Sequence, residues 1–185
     1  MAILPIYVYG DEQLTKKAIK VTKVDSTILK LISDMFDTME TADGLGLAAN
    51  QVGSPYSIFV IDLSHLEEYA HYGKMIFINP RIEDPSEEVI SMEEGCLSLP
   101  NLRGEVVRPK RLTLVYQDLS LEVHKLEVDG WFSRVVQHEY DHLLGIFFVD
   151  KVEPERRKEL KPDLQLIKDR KMDVDYLITS KKKKK

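Results

Sequence analysis

The stretch Gln137-His138-Glu139-Tyr140-Asp141-His142-Leu143-Leu144-Gly145 restricts this chain more than any other. Two histidines four residues apart on a helix stand on one face, one turn above the other. Their imidazoles can share one small cation at about 2.0–2.1 Å, the usual Zn–N distance. Glu139 follows the first histidine and points to the side of that face. There it can reach a metal-bound water without being a ligand, as in H-E-x-x-H hydrolases. The ends of the helix are legible too. Asp129 is a candidate N-cap, Trp131, Phe132, Val135, Val136, Leu143 and Leu144 make an apolar surface, and Gly145 stands where a left-handed C-terminal residue belongs. The H-E-x-x-H pattern also occurs by chance, and helical histidines can be satisfied core groups, so a third ligand has to decide.

Cys96 is the only cysteine among 185 residues, so no intrachain disulfide is possible and a reducing compartment fits. A lone cysteine is an inert buried residue, a nucleophile or a metal ligand. As a ligand, its thiolate completes Cys, His, His and leaves a fourth tetrahedral position open, the mark of a catalytic rather than a structural site. A cysteine nucleophile paired with a histidine is the competing reading, and it does not account for two histidines and a glutamate at helical spacing.

Composition narrows the class. At 43% hydrophobic and 31% charged the chain reads as one globular domain with a sizeable core. Its formal charge of −5 becomes −10 without Lys181–Lys185, so the body is acidic and DNA binding is not expected. Residues 1–168 are expected to form a single catalytic domain, and 169–185 a charged, disordered tail. The N-terminus has no basic region followed by a long apolar run, which makes the cytoplasm the expected compartment. No stretch is apolar enough to suggest a membrane span.

Along the chain, Asp11–Ala18 reads as a helical turn or two. Asp25 or Ser26 caps an amphipathic helix over 26–41, with Ile28, Leu29, Ile32, Met35, Phe36 and Met39 at helical spacing. Gly44-Leu45-Gly46-Leu47-Ala48-Ala49-Asn50-Gln51 brings backbone close to something, but has neither the ending of a P-loop nor the third glycine of a dinucleotide fingerprint. Strands are expected at Ser57–Asp62, Met75–Asn79 (closed by Pro80), Glu87–Met92, Gly104–Val107, Leu112–Gln117 and Leu121–Val128, with an extended run at Phe147–Val149. Leu63–Gly73 reads as a polar loop with His65 and His71 on the surface. A short surface helix interrupted by Pro162 follows Glu153.

Taken together these residues resemble the bacterial peptide deformylases. That family shows G-x-G-x-A-A-x-Q, E-G-C-L-S and Q-H-E-x-D-H-L-x-G in this order, and here they stand as Gly44–Gln51, Glu94–Ser98 and Gln137–Gly145. The resemblance covers about Ile3 to Lys151. It implies an α+β fold of antiparallel β-sheets wrapped around a central H-E-x-x-H helix, and metal-dependent hydrolysis of the formyl group on N-formyl-methionyl peptides. By resemblance, Cys96, His138 and His142 bind the metal, Glu139 moves the proton, and Gln51 with the Leu97 N–H stabilises the oxyanion. Leu45, Gly46, Leu97, Trp131, Val135 and His138 are the expected substrate pocket, with Arg103 at its mouth and Arg134 at the rim or facing solvent. Glu94 is expected to pair with an arginine, and Asp141 to anchor the helix by a salt bridge. Fe²⁺ is the implied ion, with Zn²⁺, Ni²⁺ or Co²⁺ able to substitute. A transient ribosome contact through the lysine run is a further expectation. The alternatives are an H-E-x-x-H metallopeptidase, or a non-catalytic peptide-binding or structural metal protein.

Overall fold

A computed structural model describes residues 2–181. Helix α1 (Ser26–Thr41) starts where expected, because the Asp25 carboxylate accepts the Thr27 and Ile28 amides that a helix N-terminus leaves unpaired. Seven strands follow in two antiparallel sheets: β1 (Gly46–Ala48), β2 (Ile58–Asp62), β3 (Lys74–Glu83), β4 (Val89–Cys96), β5 (Leu99–Pro109), β6 (Arg111–Gln117) and β7 (Val123–Asp129). The larger sheet runs β1-β2-β3-β6-β7, and β4 pairs with β5 alone as a hairpin. Helix α2 (Gly130–Leu143) carries the two histidines, and α3 (Pro154–Glu159) and α4 (Lys161–Lys168) close the order.

Strand β2 shows how the layers are held. Its residues alternate between faces: Ile58 and Val60 join Ile28, Ile32, Met35 and Met39 of α1, while Phe59 and Ile61 join Phe132, Val136 and Leu143 of α2. Strand β2 is therefore buried on both sides, with α2 between the sheet and the β4–β5 hairpin. A third core unites Leu99, Leu102 and Val106 of β5 with Phe147–Val149, with Leu160 between α3 and α4, and with Leu164 and Ile167 of α4. No described helix is long and apolar enough to cross a membrane.

Several expectations are corrected. Pro80 does not close β3, because a bulge between Ile78 and Arg81 places the residue lacking an N–H where the ladder is interrupted. Asn79, at φ 50°, steadies the bulge by pairing both its amide atoms with Val21 at 2.8 Å. Phe147–Val149 is not extended; Phe148–Asp150 form a 3₁₀ turn, tied by Asp150 accepting the Phe147 amide. Asp129 occupies the cap position of α2 without a side-chain capping bond. The expected disorder after Lys168 is also not what the structure shows for residues 169–181. Ile6 donates to Leu177 O and accepts from the Thr179 amide, both at 2.9 Å, so this segment is stitched to the N-terminal residues by an isolated bridge. The rest of the lysine run, 182–185, lies outside the described residues.

Candidate active site

Gly145, at φ +76°, ends α2 in the left-handed conformation, and a Cβ there would fall 2.5 Å from the Thr15 carbonyl oxygen. Ion pairs from Arg134 and Asp141 to Glu94 and Arg108 turn the polar face of the helix toward the β4–β5 hairpin. His138, His142 and Cys96 come together on that side: one ligand atom from each lies within 4.8 Å of the others. The Cys96 Sγ is 3.1 Å from His142 Nε2. The His138 Nδ1 is engaged by the Glu94 carboxylate at 2.9 Å, which fixes the ring and leaves its Nε2 for another partner.

Glu94 is the centre of a buried charge network. It takes Arg108 Nε at 2.6 Å and Nη2 at 2.9 Å, and Arg134 Nη1 at 2.6 Å. The third Arg108 nitrogen reaches Asp141 at 2.5 Å. Arg134 is therefore neither at a rim nor in solvent: it is 3% exposed and also donates to the Val106 and Ile90 carbonyls. Its partners come from β4 and β5, remote in sequence, so its immediate neighbours give no sign of them. Arg108 carried its own signal, which the sequence reading missed. Leu102, Gly104, Val106 and Arg108 occupy alternate inward positions of β5, and a charge on the buried face of a strand requires a buried partner.

The remaining candidates share one cleft of about 540 Å³. Gln51, Glu139, Leu45, Gly46, Leu97, Arg103, Trp131 and Val135 line it together with Cys96 and His138, while His142 lies beneath, 1% exposed. Gln51 is oriented by the Ala48 amide, which donates to its Oε1 at 2.8 Å; its Nε2 then donates to Ser98 Oγ at 3.1 Å and points toward the Cys96 sulfur. Gly46 has no side chain for a steric reason, since a Cβ would meet Glu139 Oε1 at 2.6 Å. Gly95 likewise lies under Arg103, and Gly44 under the Leu97 side chain. Glu139 Oε2 and His142 Nδ1 are buried without a hydrogen-bond partner among the described residues.

Electrostatics at the site follow from burial and the neighbours. Burial pushes the Glu139 carboxyl up to about 7, opposed by the His138 charge and assisted by that of Glu94. Burial would raise Glu94 too, but His138 and Arg108 overcome it and hold this carboxylate well below its usual range. For His138 burial disfavours the cation, yet Cys96 and Glu94 beside it win and raise its pKa well above normal. Burial and the His138 charge lower His142 well below normal. One thiolate and two imidazoles, without a fourth protein ligand, suit a single borderline-soft divalent cation, which competes with protons for the same ring nitrogens. A second acidic group, Asp118, Glu122 and His124, is explained by turn chemistry: Asp118 accepts the Ser120 and Glu122 amides and the His124 ring.

The chain has relatives among known proteins, in sequence and in fold. The sequence pattern of the polypeptide deformylase family matches residues 3–158. A peptide deformylase of Chlorobaculum parvum is 47% identical over 95% of this chain and 94% of its own length. One of Salinibacter ruber is 41% identical over 97% and 95%. Among solved structures, a peptide deformylase from Plasmodium falciparum superposes with a TM-score of 0.83 at 36% identity, covering 90% of this chain and 96% of that one. The Ehrlichia chaffeensis enzyme in complex with actinonin gives 0.82 at 36% identity, covering 94% and 100%. The chain belongs to the polypeptide deformylase family, hydrolases that remove the N-terminal formyl group from nascent peptides.

Proposed function

We propose that the family's reaction is carried out here by Cys96, His138 and His142 as ligands of one divalent cation, by Glu139 as the proton carrier, and by Gln51 and the Leu97 N–H as oxyanion donors. When bound, the cation supplies a Lewis acid that makes water acidic near neutral pH and polarises the formyl carbonyl. Fe²⁺ is the ion assigned in the cell, and Zn²⁺, Ni²⁺ or Co²⁺ can take its place because all accept thiolate and imidazole. The observation that carries the reading is the Glu139 carboxylate, buried beside Gly46 in the cleft with one oxygen unpartnered, next to the converging Sγ and ring nitrogens.

Glu139 removes a proton from the attacking water as its oxygen bonds to the formyl carbon. The charge that develops on the formyl oxygen is met by Gln51 Nε2 and the Leu97 amide. Losing one such donor typically costs about 10²–10³ in rate. Glu139 then returns the proton to the amine nitrogen as the C–N bond breaks, releasing formate and a free N-terminus. Leu45, Leu97, Trp131, Val135 and the His138 ring receive the methionine side chain. Gly46 offers backbone to an extended peptide, an attachment that depends little on sequence, and Arg103 stands at the mouth. Residues 1–168 and the 169–181 segment packed against them form one catalytic domain, working in the cytoplasm, and the lysine run makes a transient contact with translating ribosomes. Co-sedimentation with and without that run tests the last point, and equal binding would dispose of it.

The central test is formate release from formyl-Met-Ala-Ser by metal-loaded protein. Glu139→Gln should keep its metal and lose at least about 10²-fold in turnover, within the usual range for a general base. Turnover that survives this change would overturn the assignment.

A further inference from the structure

Cys96 pairs with Leu99, so Leu97 and Ser98 are the two central residues of the turn that joins β4 to β5. Neither has a positive φ. The turn is therefore not type I′ or II′, the forms whose twist suits a two-residue hairpin. Its central peptide, Leu97–Ser98, is instead held at both ends, from within the turn and from outside it. The Ser98 N–H donates to the Cys96 sulfur at 3.4 Å, and the Leu97 carbonyl accepts the Tyr176 hydroxyl at 2.8 Å. Turns of different type are related by a flip of this same peptide. A flip would break both bonds at once.

Tyr176 comes from the C-terminal segment, beyond the part matched by the family pattern. Asp173, Val174, Asp175 and Tyr176 form one wall of the catalytic cleft. The segment is fastened on either side of Tyr176: Asn101 Nδ2 donates to the Asp173 carbonyl at 3.0 Å, and Arg170 and Thr179 both bind the Asp11 carboxylate at 2.7 Å. With the Ile6 backbone bonds, these contacts present the phenol at a fixed point.

We propose that Tyr176 is a positioning residue for the reaction: its hydroxyl holds the Leu97–Ser98 peptide so that the Ser98 N–H stays on the Cys96 sulfur. The proposal rests on the role assigned above to Cys96. Tyr176→Phe removes the hydroxyl and keeps the ring. On metal-loaded protein, kcat for formyl-Met-Ala-Ser should fall about tenfold with KM within twofold, because a ligand sulfur that loses its hydrogen bond alters the reacting centre rather than substrate binding. Amide hydrogen exchange at Ser98 should quicken at least tenfold, a change that loss of packing elsewhere would not produce. Unchanged kcat and unchanged exchange at this amide would overturn the proposal. So would a fall in kcat with exchange unaltered, or a Tyr176→Ala chain that loses activity while Tyr176→Phe retains it, since the ring alone would then be acting. Wild-type protein that releases no formate would refute the roles assigned to the site, and the exchange comparison would still decide whether the hydroxyl holds the turn.

Discussion

Helix α2 has two faces that are buried to a similar degree and built from opposite chemistry. Toward the five-stranded sheet it presents Phe132, Val136 and Leu143, which are 1%, 0% and 3% exposed. Toward the β4–β5 hairpin it presents Arg134 and Asp141, which are 3% and 6% exposed, with His138 beside them. The first face gains stability simply by leaving water, at roughly 25 cal/mol per Å² of apolar surface. The second must recover the desolvation of four charges through their mutual contacts, and such networks often contribute little net stability. It contributes direction. Glu94 bonds two arginines and His138 at once, so the orientation of the ring proposed as a ligand is set by groups that cannot move singly. One face holds the helix in the fold; the other aims what the helix carries.

Substitutions on the two faces should separate these roles. Arg108→Met, the largest expected effect, leaves Asp141 without its buried partner and Glu94 with only Arg134 and His138. Breaking a buried pair in this way typically costs about 3–5 kcal/mol, and freeing the carboxylate that orients a ligating histidine costs about 10–100-fold in metal affinity. Urea unfolding and competition with a chromophoric chelator measure the two losses. Phe132→Ala, on the apolar face, should cost about 3 kcal/mol in the same unfolding assay, at the lower end for a buried phenylalanine. Its metal affinity should stay within twofold of wild type. If affinity falls as far as in Arg108→Met, the two faces are not separable and the comparison fails.

The same contrast explains what could be read from the chain. The 26–41 helix was legible because its apolar spacing and its Asp25 cap are local, and so was the clustering of Cys96, His138 and His142, because those residue types have few other reasons to occur in such motifs. The β2 alternation was visible only as an apolar run; that both faces are covered depends on α1 and α2 arriving from elsewhere. The Arg134 partners lie 28 to 44 residues away in sequence, so its burial could not follow from its neighbours. The order of residues 169–181 rests largely on backbone bonds to Ile6 and on Arg170 and Thr179 reaching Asp11. Backbone pairing of that kind leaves no mark on composition, and a polar, charged stretch reads as a free tail.

The charge network also has an exposed end, and it gives the smallest effect and the finest test. Lys151 lies 3.3 Å from the Asp141 carboxylate, on the side away from Arg108, and its side chain is 38% exposed against 4% for Arg108. Both cations pair with one carboxylate, so they differ chiefly in how much water surrounds them. If burial sets the value of each contact, Lys151→Ala should cost no more than about 0.2–1 kcal/mol, the range for exposed ion pairs. Raising salt to 1 M should erase most of that difference, because the Debye length falls to about 3 Å. Arg108→Met should keep its deficit at the same salt. A Lys151→Ala loss as large as that of Arg108→Met would mean that total charge around Asp141, rather than its dry contact with Arg108, holds this face of α2 in place.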